Sequence, residues 1–285
     1  MNVATPLSAG RNGALILPAV AVLAGLFIGP MIYFLIVSFF KVSLFKIVPA
    51  FDLGNYAKVL GAYGVPILFT MAISFLIASI TTVLAFVVAH LIWTRGRGFS
   101  GFLLAATLLT LFGGYLVKIY AWRTLLGRDG IVNNTLVGLG IVREPIEALL
   151  YSPIAVVLVL VSYLLPFAIL PLYGALRSIE TKTIEAARDL GASPWVAVRD
   201  AVLPRCVPAL VTAFALCFLV TAGDYVTPRM VGGTQTMMMG NFIESQFGLR
   251  MNVPLGAAMT YLTIIVSVAV ISLVWIALKT VLRPK

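Results

Sequence analysis

Charge is what this chain has least of. Charged residues make up 11% of its 285 positions and hydrophobic ones 61%, whereas an average soluble domain is about a quarter charged. Such a composition cannot supply a solvated shell, so the chain reads as a polytopic membrane protein. No long soluble-looking block interrupts the apolar segments, which excludes a soluble domain on a simple anchor. Cysteine is nearly absent. Cys206 and Cys217 stand eleven positions apart on one expected helix, about 16 Å along its axis, too far for a mutual disulfide. They read as small apolar packing residues and say nothing of redox compartment. The single histidine, His90, cannot build a His-rich metal site, and no HExxH spacing exists, so no metal site is expected. His90 reads as a packed or interfacial residue. No GxxxxGK[ST] loop is present, which excludes ATP hydrolysis by that route. No Ser/His/Asp set can be assigned, and the chain is not expected to be an enzyme. The apolar segments hold almost no ionisable residues, which argues against a built-in proton relay or charge-coupled pump. A conduit driven from elsewhere, or a structural membrane subunit, is left.

What is present is a series of long apolar runs. Six membrane spans are expected, at 14–40, 64–92, 100–121, 150–175, 206–224 and 255–279. Polar links join them at 41–63, 93–99, 122–149, 176–205 and 225–254. The first run follows Arg11 and is much longer than a signal-peptide core, so it is expected to remain as a span. Pro30 within it predicts a kink. With six spans both termini share one side. Placing them inside puts eleven of the twenty cations on inner segments, over shorter links than those outside, a modest positive-inside bias. The net charge of +10 is scattered over short loops without a basic stripe, which fits topology and not nucleic acid. Gly25 with Gly29, and Gly113 with Gly114, are weak cues for close helix contacts. The expected fold is an all-α membrane protein of six transmembrane helices. Its parts are a cytoplasmic N-terminal segment 1–13, a six-span domain 14–279 and a cytoplasmic tail 280–285.

One inner link differs from the rest. Residues 184–205 read IEAARDLGASPWVAVRDAVLPR. Good helix formers run up to Leu190, and Gly191 follows where a left-handed C-cap is wanted. Ser193 reads as an N-cap and Pro194 as the first residue of a second helix, which Pro204 bends or ends. The result is a helix–turn–helix at the cytoplasmic surface, in the loop 176–205 between the fourth and fifth spans. On physics alone, a stiff connector and a docking site for a soluble partner both remain open.

This stretch resembles the EAA loop of permease subunits of bacterial ABC importers, whose pattern is E-A-A, three residues, G, nine residues, I, one residue, L-P. Glu185, Ala186, Ala187, Gly191, Leu203 and Pro204 fit at that spacing. Ala201 stands at the isoleucine position, a departure that loosens one apolar contact. LVKIYAWRTLLGRDGIVN, YLLPFAILPLYGALRSIE, GDYVTPRMVGG and MGNFIESQF with NVPLGAAMT are similar to the first permease subunit of spermidine/putrescine-type importers.

The resemblance implies a multi-pass subunit of the bacterial inner membrane, both termini cytoplasmic. It implies as partners a second six-span permease, two ATPase subunits, a periplasmic or lipid-anchored substrate-binding protein and the lipid bilayer, with no nucleic acid. The chain itself would carry no cofactor; ATP and Mg would be held by the ATPase partner, where the hydrolytic activity resides. Glu185, Ala186, Ala187 and Gly191 would form the contact that couples hydrolysis to transport. A polyamine needs carboxylates and aromatic faces, and Asp224, Tyr225, Glu244, Tyr115, Tyr120 and Trp122 are the candidates along its path. Each aromatic also fits an interface belt, and Asp224 also fits a structural pair with Arg229. Arg123, Arg128, Arg143, Arg229 and Arg250 do not favour a polycation, so an opine, an amino-acid derivative or another small solute is the alternative cargo. The rival classes are a self-sufficient channel or secondary transporter, and a membrane scaffold without transport.

Overall fold

The computed structural model describes residues 17–18, 20–43, 46–95, 97–180, 184, 189 and 191–282. The fold is almost wholly helical. In chain order the elements are α1 (Val20–Val37), a short hairpin of β1 (Lys41–Ser43) and β2 (Lys46–Val48), then α2 (Gly54–Thr94), α3 (Arg97–Phe112), α4 (Tyr115–Leu126), α5 (Ile131–Gly138) and α6 (Pro153–Arg177). After them come α7 (Pro194–Gly223), α8 (Met239–Phe247) and α9 (Val253–Val281). Among the described residues, α1, α2, α6, α7 and α9 are long and apolar enough to cross a membrane. They coincide with five of the six expected spans.

The remaining expected span, 100–121, is not one straight helix. α3 stops at Phe112, and the chain bends by 100° before α4 and α5. The cause is Gly113–Gly114. Each glycine in a helix interior costs about 1 kcal/mol relative to alanine, and Gly114 takes an extended conformation (φ −56°, ψ 143°) from which α4 starts afresh. The glycine pair, a weak cue for close helix contact in the sequence, marks a break in the helix. The two arms together make a sixth span only if the bent pair is counted as one.

Prolines shape the helices that carry them. In α1 a π turn, Ala24–Ile28, immediately precedes the segment containing Pro30, and the Gly29 N–H bonds back to the Ala24 carbonyl. In α7 the same arrangement recurs: a π turn, Val198–Val202, precedes Pro204, and the Leu203 N–H reaches Val198. Proline has no N–H to offer the carbonyl four residues back, and a widened turn is one way to absorb the loss. Pro204 therefore does not end the helix that begins at Pro194; α7 runs through it to Gly223.

The described residues fall into two compact units. The first lies within Met1–Ala62 and Ser245–Leu262, the second within Tyr63–Glu244 and Thr263–Lys285. In the first, Asn55 Nδ2 donates to the carbonyls of Ser38 (2.9 Å) and Phe40 (2.8 Å). The Ser38 and Tyr56 hydroxyls share a hydrogen bond, and Phe39 stacks on Phe51. The hairpin emerges inside the expected link 41–63, with Lys41 paired to Asp52 at 3.0 Å. That ammonium, first, and the Gly54 amide hold the Asp52 carboxyl below its ordinary value.

The core of the second unit is built chiefly from α6 and α7. Leu160, Leu164, Leu172 and Leu176 of α6 and Phe218 of α7 are buried, as are the free cysteines Cys206 and Cys217. Ser152 caps α6 by accepting from the Ala155 N–H, with Pro153 at the first helical position. The segment between α5 and α6 is pinned by fully buried Asn133. Its Nδ2 donates to the Gly127 and Ile146 carbonyls, and its Oδ1 accepts from the Ile146 N–H at 2.8 Å.

Candidate functional site

Asp224 is the centre of the polar cluster in the second unit. It follows the last residue of α7 in an extended conformation, so its side chain faces the turn that comes next. One carboxylate oxygen accepts from the Val226 and Thr227 N–H groups at 2.9 and 3.4 Å. The other accepts from the Tyr115 hydroxyl at 2.7 Å, which also lies 2.6 Å from Thr227 Oγ1. Asp224 is 8% exposed and Thr227 fully buried. Donors to an ionised acceptor make the stronger hydrogen bonds, and here three converge on one carboxylate. Tyr115 is the first residue of α4, so the bend at Gly113–Gly114 is what delivers its hydroxyl to the end of α7.

An aromatic stack extends from that hydroxyl. Tyr163 of α6 tilts against Tyr115 with centroids 4.6 Å apart, and Phe167 lies 5.5 Å from Tyr163. Lys118 Nζ sits 5.3 Å from the Tyr163 ring centroid. It is shielded from solvent and has no hydrogen-bond partner among the described residues. Sequence reasoning missed Lys118. Its signal is an ionisable residue inside the expected span 100–121, a single one in an otherwise apolar run.

The other candidates separate. Glu244 pairs with Arg229 at 3.6 Å, both partly exposed, a contact of about 0–1 kcal/mol. Arg229 thus pairs with Glu244, and the alternative pairing with Asp224 gives way to Tyr115 and two backbone amides. Trp122 Nε1 donates to Ser162 Oγ at 2.8 Å, tying α4 to α6. The side chains of Tyr120 and Tyr225 are exposed. The Tyr225 carbonyl accepts from Asn241 Nδ2 at 2.7 Å. Gly240 closes this region: a Cβ there would stand 2.7 Å from the Asp224 carbonyl oxygen. The start of GDYVTPRMVGG and Gly240 of MGNFIESQF, sixteen positions beyond Asp224, therefore pack directly against one another.

In the polar link, Gly191 has φ +82°, the left-handed conformation expected of it. Ser193 Oγ accepts from the Val196 N–H at 3.4 Å, and Pro194 opens α7. Ala201 lies half-buried in the π turn that Leu203 and Pro204 follow. Glu185, Ala186 and Ala187 lie outside the described residues, as do the segment 1–13 and positions 283–285 of the tail.

The family model for the binding-protein-dependent transport system inner membrane component matches residues 62–285. The spermidine/putrescine transport system permease protein PotB of Haemophilus influenzae is 36% identical over 158 residues, 55% of each chain, so the match spans about half of that relative. The inner membrane ABC transporter permease protein YdcU of Escherichia coli is 33% identical over 241 residues, 79% of this chain and 72% of that one. A chain from the crystal structure of a bacterial alginate ABC transporter in complex with alginate pentasaccharide-bound periplasmic protein superposes with a TM-score of 0.72. That likeness covers 93% of this chain and 92% of the other at 16% identity, a likeness of fold. The chain belongs to the binding-protein-dependent transport system inner membrane components, the permease family of type I ABC importers.

Proposed function

We propose that this chain forms half of the translocation pathway of an ATP-driven importer for a small solute, a polyamine of the spermidine/putrescine kind. The observation that carries the cargo is the cluster at the end of α7. Asp224 is a buried carboxylate beside Tyr115, and Tyr163 presents a face that already holds a cation at 5.3 Å. Both features suit an alkyl ammonium. The relatives named as spermidine/putrescine permeases point the same way.

In this reading the six-span domain covers 14–279, with 1–13, 176–205 and 280–285 in the cytoplasm. Its partners are a second six-span permease, two ATPase subunits that hold ATP and Mg, and a periplasmic or lipid-anchored binding protein. Glu185, Ala186, Ala187 and Gly191 seat against the ATPase. Small Ala186 and Ala187 permit close approach, and Glu185 accepts charge-assisted hydrogen bonds. Leu203 and Pro204 carry the movement into α7. Closure of the ATPases then shifts the helices between two discrete arrangements, one open to each side.

A second cargo has one observation in its favour. The Lys118 ammonium is shielded and has no hydrogen-bond acceptor among the described residues, and an acidic group on the solute would supply one. A solute with both an amine and an acid, such as an opine or amino-acid derivative, would use Lys118 and Asp224 together.

The test is reconstitution of the complete complex in liposomes with its binding protein, following labelled spermidine. ATP-dependent accumulation is expected. A complex that hydrolyses ATP but leaves spermidine outside sinks the polyamine cargo. Failure to recover any ATPase subunit with the chain sinks the importer assembly itself.

A further inference from the structure

A cavity of about 210 Å³ lies between α2, α3 and α6. Its walls are largely apolar, with Val88, Leu103, Leu165 and Ile169 among them. Three hydroxyls line it as well, those of Thr107, Thr110 and Ser162. Each hydroxyl has one proton to give, and all three protons are already committed. Thr107 Oγ1 donates to the Leu103 carbonyl at 2.8 Å, Thr110 Oγ1 to the Thr107 carbonyl at 2.7 Å and Ser162 Oγ to the Val159 carbonyl at 2.8 Å. What the threonines turn outward is therefore lone pairs alone. Ser162 Oγ already accepts from Trp122 Nε1.

Proline adds a fourth acceptor. Pro166 also lines the cavity and sits within α6. Because it has no N–H, the Ser162 carbonyl four residues earlier has no helical donor. The cavity is thus rich in acceptors and has no uncommitted donor among these groups.

We infer that this cavity is a station for the amine end of the transported solute, an organic ammonium with a flexible alkyl stem. Thr107 Oγ1, Thr110 Oγ1 and the Ser162 carbonyl receive its N–H groups, and the apolar walls receive its methylenes. The inference rests on the amine cargo proposed above. An anionic group finds no donor here, so acid-bearing ends are turned away. The acceptors are uncharged, which suits a site that a solute must leave as readily as it enters. Ser162 precedes Tyr163 on α6, one step along the helix from the residue that stacks on Tyr115.

Trp122 provides a readout that does not depend on transport, because its Nε1–H is bonded to Ser162. The experiment uses the complete complex with Trp93, Trp195 and Trp275 of this chain replaced by phenylalanine and the partners' emission subtracted. Putrescine is the probe, with 1,4-butanediol as an uncharged mimic of its length. Saturable change in Trp122 emission with putrescine, and little with the diol, is expected. Thr107→Val with Thr110→Val removes two acceptors without changing shape. It should weaken the fluorescence response and raise the apparent KM for putrescine uptake about tenfold or more, hydrolysis of ATP staying intact. Thr107→Ser with Thr110→Ser should restore both. No saturable response in the parent, or an unchanged response in the valine variant, overturns the station. A valine-sensitive response in a complex that imports no putrescine keeps the station and overturns the cargo.

Discussion

The Tyr115 hydroxyl donates to the Asp224 carboxylate at 2.7 Å, although the two stand 109 positions apart in the chain. The pair joins the start of α4, just past a 100° bend, to the point where α7 ends. It holds in one place a carboxylate, two aromatic rings and the turn that leads towards α8.

Removing the hydroxyl tests that joint. Tyr115→Phe leaves Asp224 its two backbone donors but strips one charge-assisted bond, and a loss of about 1.5–3 kcal/mol is expected. Thermal denaturation of the detergent-solubilised protein measures it. Asp224→Asn should in addition raise the apparent KM for spermidine; an unchanged value removes Asp224 from the solute's path.

Lys118 separates the two cargo readings. Lys118→Met takes away a solvent-shielded ammonium that has no acceptor among the described residues, so stability should hold or improve. Uptake of a polyamine should persist in the variant. If the cargo also carries an acid group, uptake should instead fall about tenfold or more, as expected when a charge-assisted bond is lost. Competition assays with spermidine and an opine distinguish the outcomes.

Gly191→Val places a β-branched residue at φ +82°, at a cost of about 1–2 kcal/mol. Among the described residues nothing lies within 4 Å of the Cβ it would introduce, so the backbone conformation is the cost that counts. Uptake should drop while ATP hydrolysis by the complex continues. Gly191→Asn, which tolerates this conformation better, should retain more uptake. Parental uptake in the valine variant would show that the turn plays no part in coupling.

Asn133→Ala strips the loop before α6 of its pin. Each buried backbone group left without a partner costs about 1–3 kcal/mol. Faster proteolysis between residues 139 and 152, with a lowered melting temperature, is the expected result.

Much of the architecture was legible because it depends on local properties. Long apolar runs marked α1, α2, α6, α7 and α9. The N-cap Ser193, Pro194 at the first helical position and left-handed Gly191 needed only short-range chemistry. The bend at Gly113–Gly114 was obscured because the same two glycines also fit a packing seam, and hydropathy does not register direction. The Tyr115–Asp224 bond was invisible for a different cause: it depends on how two remote helix ends meet. Asp224 looked equally ready for Arg229, five positions away, which the structure gives to Glu244. Lys118 was visible as a residue, but the stack that makes it unusual comes from α6.

The wide turn before Pro204 holds one more residue per loop of helix than its neighbours. Rewinding it to ordinary pitch would displace the surplus residue and rotate Pro194–Ala197 by about 100° relative to the rest of α7. Proline removes the N–H such rewinding would need, so the phase between the two parts of the helix is set by covalent structure. If Ser193 receives the movement of a partner, as proposed above, that set phase would pass it along α7 as displacement.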